Sequence, residues 1–442
     1  MQSKYIHYSN LSSRLDPLYY LSDLAIFTDR QITASIGELC SSMYSGFAAG
    51  KETQVKKESG YIQIRPTNIM PDGRLSFEKN VYVPKNRNYT FIPQKAVLFN
   101  NTNSQELVGK TAILDLPNED QYYCSNHITV IIPDQTKLIP EYLWIILNLY
   151  QRRTIFYSIC TNWNNQSGVN VNLLKSIRIP IFSKEANASL DYQRKIVAIW
   201  LEAFSVERTK EQEAKDLLDS IDDYLLSELG IERPERTENG RFFYTSFKEI
   251  TGGELAPISV QNRGKQSKST QYKEIKLSTI ASITKGQAIT SKEIVDGEYP
   301  VIAGGQSSPY THNQYNHKGD VITVSASGAY SGYVWYHDYP IFASDCSVIF
   351  SKDNNVFLTK YIYEILRVRQ KEIYLLQKGA GQPHVYASDL AQITIPVVSI
   401  EKQMEIILHC NNLRIAAAEL TQEGKNLVES AKMTIEAMIL GE

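Results

Sequence analysis

Asn165-Gln166-Ser167-Gly168-Val169 returns 216 residues later as Gly381-Gln382-Pro383-His384-Val385. At identical spacing, each copy is followed by a leucine and an Ile-x-Ile-Pro segment: Leu174 with Ile177–Pro180, and Leu390 with Ile393–Pro396. Each half then passes through a glutamine, Gln193 or Gln403, into a long stretch of helical periodicity. A period of this length corresponds to a whole domain and a helix, because solenoid units are only about 20–50 residues long. The sequence therefore predicts two similar halves.

Composition is that of an ordinary globular protein. The 442 residues predict two or three domains, and apolar residues make up 43% and charged residues 21%. The start lacks the apolar core of a signal peptide, and no apolar run approaches the roughly 20 residues that span a bilayer. The five cysteines are scattered and never form a CxxC pair. This argues against a disulfide framework or a zinc site and predicts a cytoplasmic location.

Charge is distributed unevenly along the chain. The net charge of −2 hides excesses of +4 in residues 1–185 and +3 in residues 236–399. Residues 186–235 carry −6 and residues 400–442 carry −3. One interpretation is that only the mildly basic globular segments approach phosphates, and the other is that helices simply use Glu-rich solvated faces.

The globular segments read as mixed α/β. Apolar runs bounded by turn residues predict strands at Ala96–Phe99, Ile128–Ile132, Val321–Val324 and Tyr339–Phe342. Pro140–Tyr150 has helical spacing, and Pro71-Asp72-Gly73-Arg74 has the chemistry of a turn. Residues Arg233–Asn239 and Gln261–Thr270 are polar and are predicted to be linkers.

Two long helices are predicted. Tyr192–Leu229 contains no Gly or Pro, and Gly230 is placed to cap it. In the second, Ile406, Leu413, Leu420 and Leu427 are seven residues apart, as are Cys410, Ala417, Gly424, Ala431 and Met438. Such a seam predicts an antiparallel pair of helices, although each helix could instead pack on its own domain. The residues expected at the helix or partner interface are Trp200, Leu217, Ile221, Leu413, Ala417, Leu420, Leu427 and Ala431.

No catalytic or metal site is predicted. Asp16-Pro17-Leu18-Tyr19 approaches the (D/N)PPY tetrad of amino-methyltransferases, but one position differs and no Gly-rich loop precedes it. Glu213-Ala214-Lys215 and Glu274-Ile275-Lys276 have the E-x-K form of nucleases without the accompanying Pro-Asp strand. No phosphate-binding loop of the Walker type occurs.

Loops rich in amide and hydroxyl groups are the better candidates for function. Asn100–Ser104 follows a strand, Asn162–Gln166 precedes one, and Ser325–Gly332 takes the place of the first cluster in the second half. Asn and Gln pair with adenine edges, and nearby lysines such as Lys110, Lys285 and Lys378 can reach phosphates. The alternative is that these residues are only turn formers.

The order and duplication of these motifs resemble the specificity subunits of type I restriction-modification systems. In that family each half has an Arg-Leu-Asp-Pro-x-Tyr-Tyr-like start, a Tyr-Ile-x-Ile-Arg segment, a strand with a polar loop, and a Gly-Gln loop before the Ile-x-Ile-Pro strand and a Gln-Arg-x-Ile-Val helix start. The first half matches with Arg14–Tyr20, Tyr61–Arg65, Val97–Ser104 and Gln193–Val197. The second half departs at its start, with Leu255-Ala256-Pro257 and Tyr299–Ala303 at the first two positions.

The resemblance implies an α+β fold with a pseudo-two-fold internal repeat. Two mixed α/β target recognition domains, at residues 1–188 and 236–399, would be joined by antiparallel helices forming a coiled coil, in spacer regions 189–235 and 400–442. The expected DNA-binding residues are Arg65, Asn68, Asn100, Asn101, Asn103, Ser104, Lys110, Asn164, Gln166, Lys285, Gln306, Ser325, Ser327, Tyr330, Lys378 and Gln382.

The resemblance also implies a division of labour. The chain would be a non-enzymatic subunit that reads a bipartite, asymmetric target in double-stranded DNA, one domain per half-site. Two methyltransferase subunits would dock on its helices and carry the S-adenosylmethionine, and restriction motor-nuclease subunits could join; the chain itself would bind no cofactor and no metal. The alternatives are a type IIB-like specificity subunit, a self-sufficient methyltransferase using Asp16–Tyr19, and a coiled-coil scaffold that does not touch DNA.

Overall fold

The computed structural model describes residues 32–84, 89–116, 121–164, 166–232, 268–379 and 381–440. It consists of two compact units. The first unit runs up to Arg208 and resumes at Gly424, and the second unit is Thr209–Glu423. Each unit therefore contains one globular domain and a segment of each long helix. The motifs at Arg14–Tyr20 and Leu255–Pro257 lie outside the described residues.

The globular domain of the first unit is built from short strands and four helices. The strands are β1 (Thr33–Ser35), β2 (Cys40–Ser45), β3 (Gly60–Ile64), β4 (Tyr82–Pro84), β5 (Val97–Asn100), β6 (Thr102–Asn103), β7 (Thr111–Ile113), β8 (Tyr123–Cys124), β9 (Ile128–Pro133), β10 (Thr161–Trp163), β11 (Gln166–Gly168) and β12 (Arg178–Pro180). The helices are α1 (Ile36–Leu39), α2 (Pro140–Arg152), α3 (Ile155–Ile159) and α4 (Val171–Ser176). The largest sheet is antiparallel with the order β2-β9-β5-β7, and smaller sheets have the orders β4-β3-β8, β10-β11-β6 and β1-β12.

The large sheet and α2 form the core of this domain. β5 is buried at every position and β9 at all but one, as expected for central strands with apolar residues on both faces. Phe99, Ile131, Leu143 and Ile146 are fully buried in one cluster that joins the sheet to the helix. Pro140 stands at the first helical position, where its missing N–H costs no hydrogen bond. The predicted strands and helix of this region are confirmed.

The chain then forms α5 (Ala186–Glu228) and the globular domain of the second unit. The strands are β13 (Ile231–Glu232), β14 (Lys268–Ser269), β15 (Glu274–Lys276), β16 (Ala281–Lys285), β17 (Tyr299–Ile302), β18 (Thr311–His312), β19 (Val321–Ser325), β20 (Val334–His337), β21 (Phe342–Ala343), β22 (Cys346–Ser351) and β23 (Thr394–Pro396). The helices are α6 (Leu277–Ile280), α7 (Thr359–Val368), α8 (Gln370–Tyr374), α9 (Ala387–Leu390) and the long α10 (Ile400–Leu440).

The two globular domains share one topology. The sheet β16-β22-β19-β20 repeats the order of β2-β9-β5-β7, and β15-β23 repeats β1-β12. β18-β17-β21 repeats β4-β3-β8, including one antiparallel and one parallel pair. β3 and β17 contain Tyr61–Ile64 and Tyr299–Ile302, so the divergent start of the second half still occupies the equivalent strand. The internal repeat predicted from the sequence is therefore present in the fold.

A buried glutamine fastens each domain to its long helix. Gln193 Oε1 accepts a hydrogen bond from Ile139 N at 2.8 Å, and Gln403 Oε1 accepts one from Leu358 N at 2.9 Å. Both glutamines are fully buried, and each Nε2 donates to a backbone carbonyl of the same loop. Ile139 and Leu358 are the residues that precede α2 and α7, so each amide satisfies a free N–H at a helix start.

Within each unit the segments of α5 and α10 are antiparallel. In the first unit, Tyr192 Oη donates to Met438 O at 3.2 Å, and a Cβ on Gly424 would lie 3.2 Å from Glu207 Cα. In the second unit, Lys210 Nζ lies 2.5 Å from Glu423 Oε2, and the rings of Tyr224 and His409 are 3.9 Å apart. The predicted antiparallel coiled coil is confirmed, and the small residue at position 424 permits the close approach that the seam predicted.

The seam of α10 shifts by one residue after Gly424. Leu427, predicted to lie in it, is 43% exposed, whereas Val428 is 7% exposed and belongs to the core of the first unit. Met438 is only half-buried, and Ile435 and Ile439 are buried instead. The heptad expectation is wrong here because a helix of 3.6 residues per turn drifts about 20° per heptad against a strict 3.5 repeat.

Smaller differences concern boundaries. α5 begins at Ala186, six residues before the predicted start, and Gly230 follows its end with a φ of +56°. Lys268–Ser269, predicted to be linker, pairs with Ile231–Glu232 as a strand, while 233–267 lie outside the described residues. At the predicted strand Tyr339–Phe342, only Phe342–Ala343 pairs as one. Among the helices of the described ranges, none has the length and apolar content needed to cross a membrane.

Candidate nucleic-acid interface

In both domains, the polar loop after the central strand is hydrogen-bonded to the repeated motif. This motif, the Gly-Gln segment, is Gln166–Val169 in the first half, where Asn165 replaces the glycine, and Gly381–Val385 in the second. Val169 N donates to Asn101 O at 2.9 Å in the first unit, and Val385 N donates to Ala326 O at 3.1 Å in the second. Val169 and Val385 are the last residues of the two motif copies. The duplicated motif therefore has the same structural task in each half, which is to hold a polar loop at one end of the large sheet.

In the first unit this contact extends into a small sheet. β11 pairs with β6 through Ser167↔Asn103 and Gly168↔Thr102, and β10 lies on its other side. The turn between β10 and β11 includes Asn164, which is exposed and has a φ of +42°, a conformation that Asn tolerates better than most residues. Gln166 is exposed beyond this turn. Asn164 and Gln166 are thus free to contact a ligand, as predicted residues of the site should be.

In the second unit the same region is a pair of crossing loops. Gly328 N donates to Pro383 O at 3.1 Å, and Ser327 forms a bridge with His384. Gln382 is exposed and Tyr330 is 49% exposed, whereas Ser327 Oγ donates to Asp345 Oδ2. Ser325 is buried at the end of β19. Tyr330 and Gln382 are therefore the better placed of these residues for binding.

Several predicted DNA contacts are instead buried and engaged within the protein. Asn68 is 2% exposed, its Oδ1 accepts from Arg65 N at 2.9 Å, and its Nδ2 donates to Ser76 O at 2.9 Å. Asn101 is 8% exposed and its Nδ2 donates to Thr129 Oγ1 at 3.0 Å. Asn100 is fully buried, and its Oδ1 accepts from Thr102 N. These amides hold the loops in shape, so the expectation that they face a base is corrected.

Lys110 is also an internal residue. Its Nζ donates to Ile69 O at 2.6 Å and to Pro66 O at 3.1 Å, and burial lowers the pKa of its ammonium. The side chain is 7% exposed. It closes the turn that follows β3 instead of reaching toward a phosphate, which corrects the predicted role.

Arg65, Asn103 and Ser104 are partly engaged within the protein and partly accessible. The guanidinium of Arg65 donates to Gln63 Oε1 at 3.0 Å and to Ala49 O at 2.8 Å, and burial lowers its pKa. Asn103 and Ser104 are half-buried, with Ser104 N donating to Asn103 Oδ1 at 2.8 Å. The edges of these residues remain accessible, and their contact with DNA stays a prediction.

The exposed residues of the second domain include two more of the predicted set. Lys285, at the end of β16, and Gln306 are exposed. Lys378 is less available, because its Nζ lies 2.9 Å from Asp389 Oδ2 and 5.4 Å from the centre of the Tyr386 ring. The contact of Lys285 and Gln306 with DNA stays a prediction, and that of Lys378 would have to compete with its ion pair.

Exposed aromatic rings are the residues that sequence reasoning missed. Trp163 is 46% exposed beside the Gly-Gln segment of the first domain, and Tyr386 is 48% exposed just after that of the second. The available signal was an aromatic residue inside or next to a polar turn, as in Asn162-Trp163-Asn164. Such a residue has no core to enter, because its neighbours in sequence are all solvated.

Several residues of types that often take part in catalysis are buried or paired within the protein. Burial raises the pKa of the Cys40, Cys124, Cys346 and Cys410 thiols to about 12. Glu274, part of an E-x-K sequence, accepts from Arg369 at 2.8 Å. Within the described ranges, no group of His, Cys, Asp and Glu is arranged to hold a metal ion. Asp16–Tyr19 lies outside those ranges.

The long helices bury some of their apolar residues and leave others exposed. Of the predicted interface residues, Trp200, Ile221, Ala417 and Ala431 are buried, Leu217, Leu413 and Leu420 are half-buried, and Leu427 is exposed. Large apolar side chains that remain exposed on the helices are Leu201, Val206, Leu427 and Met433 in the first unit, and Leu218, Met404, Leu408 and Ile415 in the second. Met404, Leu408 and Ile415 recur at intervals of four and seven residues and so share one face of α10, and exposed apolar residues on one face indicate a surface that another protein covers.

A comparison with sequence models of known protein families identifies the family of the chain. The sequence model of the type I restriction modification DNA specificity domain matches the chain twice, at residues 33–215 and 269–430. The chain belongs to this family. Each match covers one globular domain with a large part of a long helix, so both halves of the repeat are DNA specificity domains.

Two curated relatives are specificity subunits. A putative type I specificity subunit of Mycoplasma pneumoniae is 20% identical over 366 residues, which cover 81% of this chain and 87% of that protein. The putative type I restriction enzyme MjaX specificity subunit of Methanocaldococcus jannaschii is 33% identical over 85 residues. That match covers 19% of this chain and only 20% of the archaeal protein.

Solved structures from type I restriction-modification systems align with most of the chain. A chain from a study of complex assembly and conformational transition in a type I restriction-modification system aligns with a TM-score of 0.53 at 15% identity, covering 94% of this chain and 97% of that one. The type I specificity subunit from M. genitalium aligns with a TM-score of 0.46 at 15% identity, covering 93% and 97% of the two chains. The predicted fold class, an α+β repeat joined by antiparallel helices, is confirmed.

Proposed function

We propose that this member of the specificity family reads a bipartite, asymmetric DNA target, with one domain for each half-site. The observation that carries the proposal is a contact found in both domains. The backbone N–H of Val169 or Val385, at the end of the Gly-Gln segment, donates a hydrogen bond to the polar loop. This backbone arrangement and its exposed glutamine, Gln166 or Gln382, are the same in both domains, whereas the exposed side chains near them differ: Asn164 in one and Tyr330 in the other. Two domains that share a backbone arrangement but differ in exposed side chains suit two different half-sites, since base edges are read by hydrogen-bonding side chains.

The helices would carry the partner subunits. We infer that methyltransferase subunits, two of them in a complete complex, cover the exposed apolar residues of α5 and α10, and that restriction motor-nuclease subunits can join. The net charges of the helical segments support this division, because residues 186–235 carry −6 and would be repelled by DNA. S-adenosylmethionine and the catalytic groups would reside on the methyltransferase, and this chain would contribute recognition alone.

Selection of DNA tests the proposal directly. The chain would be reconstituted with the methyltransferase encoded beside it and incubated with a pool of random duplexes. We expect the enriched duplexes to contain two short conserved blocks separated by a spacer of fixed length and free sequence. Enrichment of one continuous block, or of no sequence at all, would contradict a bipartite reader.

A methyl-transfer assay tests whether the catalytic groups reside on the methyltransferase subunit. The isolated chain is incubated with the selected duplex and a labelled methyl donor, in parallel with the reconstituted complex. We expect label to enter the DNA only with the complex. Transfer by the isolated chain would instead favour a self-sufficient methyltransferase.

A further inference from the structure

Trp163 is an aromatic ring held in a fixed position on the surface of the first domain. It ends β10, whose partner strand β11 is part of the Gly-Gln segment, through the pairs Thr161↔Gly168 and Trp163↔Gln166. Residues that pair across an antiparallel sheet share a face, as do residues two apart in a strand. Trp163 therefore shares its face with Thr161, Gln166 and Gly168.

The ring lies over Gly168. A Cβ placed on Gly168 would be 2.4 Å from the Cη2 atom and 3.0 Å from the Cζ3 atom of Trp163, so the indole keeps this position only while residue 168 has no side chain. One side of the indole is thereby supported by backbone, while the residue as a whole stays 46% exposed. The ring is therefore covered by backbone on one side and offers its remaining surface to a ligand.

In the second half, the large and the small residue of this pair change places. The positions 216 residues after Trp163 and Gly168 are Gly379 and His384. The exposed aromatic surface there is provided by Tyr386, whose ring stacks with that of His384 at 6.2 Å between centres. Each domain thus presents an aromatic ring beside its Gly-Gln segment, from a different residue in each case.

The surroundings of Trp163 favour a nucleic acid over a protein surface. The exposed neighbours on its face are the hydroxyl of Thr161 and the amide of Gln166, with Asn164 in the adjoining turn. Groups of this kind recognise base edges and phosphates, whereas the core of a protein-docking surface would gather further apolar side chains around the ring. Stacking on aromatic side chains is sequence-tolerant and suits a residue that positions a base for reading by its neighbours.

We propose that Trp163 stacks on a base of the first half-site and so positions that half-site against Gln166 and Asn164. The inference rests on the proposed function and adds to it a stacking contact that is separate from hydrogen-bonded base reading. Apolar wedge residues that enter duplex DNA partly unstack a base step, and Trp163 would act in this way.

Binding of the reconstituted complex to its selected duplex tests the contact. Trp163→Ala is expected to weaken binding about 5- to 150-fold, which corresponds to the usual range for loss of one aromatic–base stack. Trp163→Phe keeps a ring and should restore affinity to within about threefold of the wild type, a sign of stacking. Tyr386→Ala serves as the matched variant in the other domain.

Abasic substitutions locate the stacked base. Each position of the selected duplex is made abasic in turn, and the affinities of the wild type and Trp163→Ala are compared. We expect the difference between the two proteins to vanish at one position of the first half-site and to persist at every position of the second. For Tyr386→Ala the two half-sites should exchange roles.

Indole fluorescence gives a readout that does not depend on a variant's stability. Of the four tryptophans, Trp144 and Trp200 are buried, Trp335 is half-buried and Trp163 is 46% exposed, so Trp163 should make the largest contribution to the change when duplex is added. We expect the selected duplex to quench the wild-type emission and Trp163→Phe to abolish most of that change. Equal affinity of Trp163→Ala and wild type, or loss of the methyltransferase from the Trp163→Ala complex, would overturn the inference. Failure of the wild type to select any duplex would overturn the proposed function itself.

Discussion

Lys110 and Lys285 are lysines of the two domains with opposite surroundings. The ammonium of Lys110 is shared between the carbonyls of Pro66 and Ile69, whereas Lys285 is exposed at the end of β16. A buried donor that is removed leaves its acceptors unsatisfied, while an exposed cation is free to replace a counterion on a phosphate. The same substitution should therefore have different effects at the two positions.

Replacing each lysine by alanine separates these roles. Lys110→Ala is expected to lower the free energy of unfolding by about 1–3 kcal/mol and to leave base preference unchanged. Lys285→Ala should leave stability within about 0.5 kcal/mol, weaken binding to all duplexes alike, and reduce the slope of log affinity against log salt by about one. Denaturant unfolding and a salt series of binding measurements check both. An unaltered melting of Lys110→Ala would show that its two hydrogen bonds are dispensable.

His337 links stability to pH in the second unit. It is fully buried, its Nε2 lies 2.8 Å from Thr323 Oγ1, and its Nδ1 lies 3.4 Å from Tyr339 Oη. Burial lowers its pKa from 6.5 to about 4, against an opposing effect of Asp338. Because the folded pKa lies below the unfolded one, the unfolded chain takes up the proton first as the pH falls. Stability is then full above about pH 6.5 and is lost between pH 6.5 and pH 4.

His337→Gln keeps a polar side chain at this position and removes the titration. Between pH 6.5 and pH 4 the unfolding free energy of the wild type should fall more steeply than that of the variant, by up to roughly 1.4 kcal/mol per pH unit. Denaturant unfolding at several pH values provides the comparison. Parallel pH profiles for the two proteins would argue that His337 is protonated in the fold.

At this scale the sequence predicted the loops but not which of their side chains are free. The polar cluster at Asn100–Ser104 was identifiable, yet Asn101 is held by Thr129, a residue 28 positions away, and by Ser45, 56 positions away. Partners so distant in the chain are unknown until the strands have paired. The exposed Trp163 was overlooked for a different reason: Gly168 is only five residues away, but the hairpin that brings the two residues together was not predicted.

At the scale of elements, the two long helices were predicted almost in full. Their lack of helix breakers and their apolar spacing depend only on neighbouring residues, and the structure extends each by a few positions. The seam was less predictable, because a shift from Leu427 to Val428 depends on what the first unit packs against the helix. The strands were located but their ends were not, as Tyr339–Phe342 illustrates.

The shift of the seam can be tested with adjacent residues. Val428→Ala removes two methyl groups from the core of the first unit and should cost about 2 kcal/mol of unfolding free energy. Leu427→Ala should change stability by less than about 0.5 kcal/mol but weaken the binding of the methyltransferase, because Leu427 is exposed. Melting and co-purification measure the two effects. The reverse result, with Leu427→Ala the more destabilising, would restore the strict heptad.

At the scale of the whole molecule, the repeat is what made the fold predictable. Matching motifs at an interval of 216 residues required a second domain, even though Tyr299–Ala303 differs from Tyr61–Arg65. Topology survives such divergence because it depends on the alternation of apolar residues, whereas the bases that each domain reads depend on a few exposed side chains. This is why the sequence could indicate DNA recognition and leave the target undetermined.

Exchange of a domain should therefore change half of the target. Replacing residues 1–185 with the corresponding segment of another family member is expected to alter one block of the selected sequence and leave the other block unchanged. The chimera keeps Gln193, and the exchanged segment has to supply the backbone groups that Ile139 N and Lys137 O provide here. Selection from random duplexes, repeated with the chimera, gives the answer. A change in both blocks would count against independent readers.

The cysteines, four of them buried and Cys40 half-buried, can report local opening of the molecule. Cys40, Cys124 and Cys160 belong to the first unit, and Cys346 and Cys410 to the second. A thiol reacts with alkylating reagents through its thiolate, and raised pKa values keep that form scarce in the folded chain. Brief exposure to such a reagent followed by peptide mass spectrometry would therefore mark whichever unit had opened. The order in which the two units loosen on heating, or tighten when DNA is added, can be followed without introducing any label.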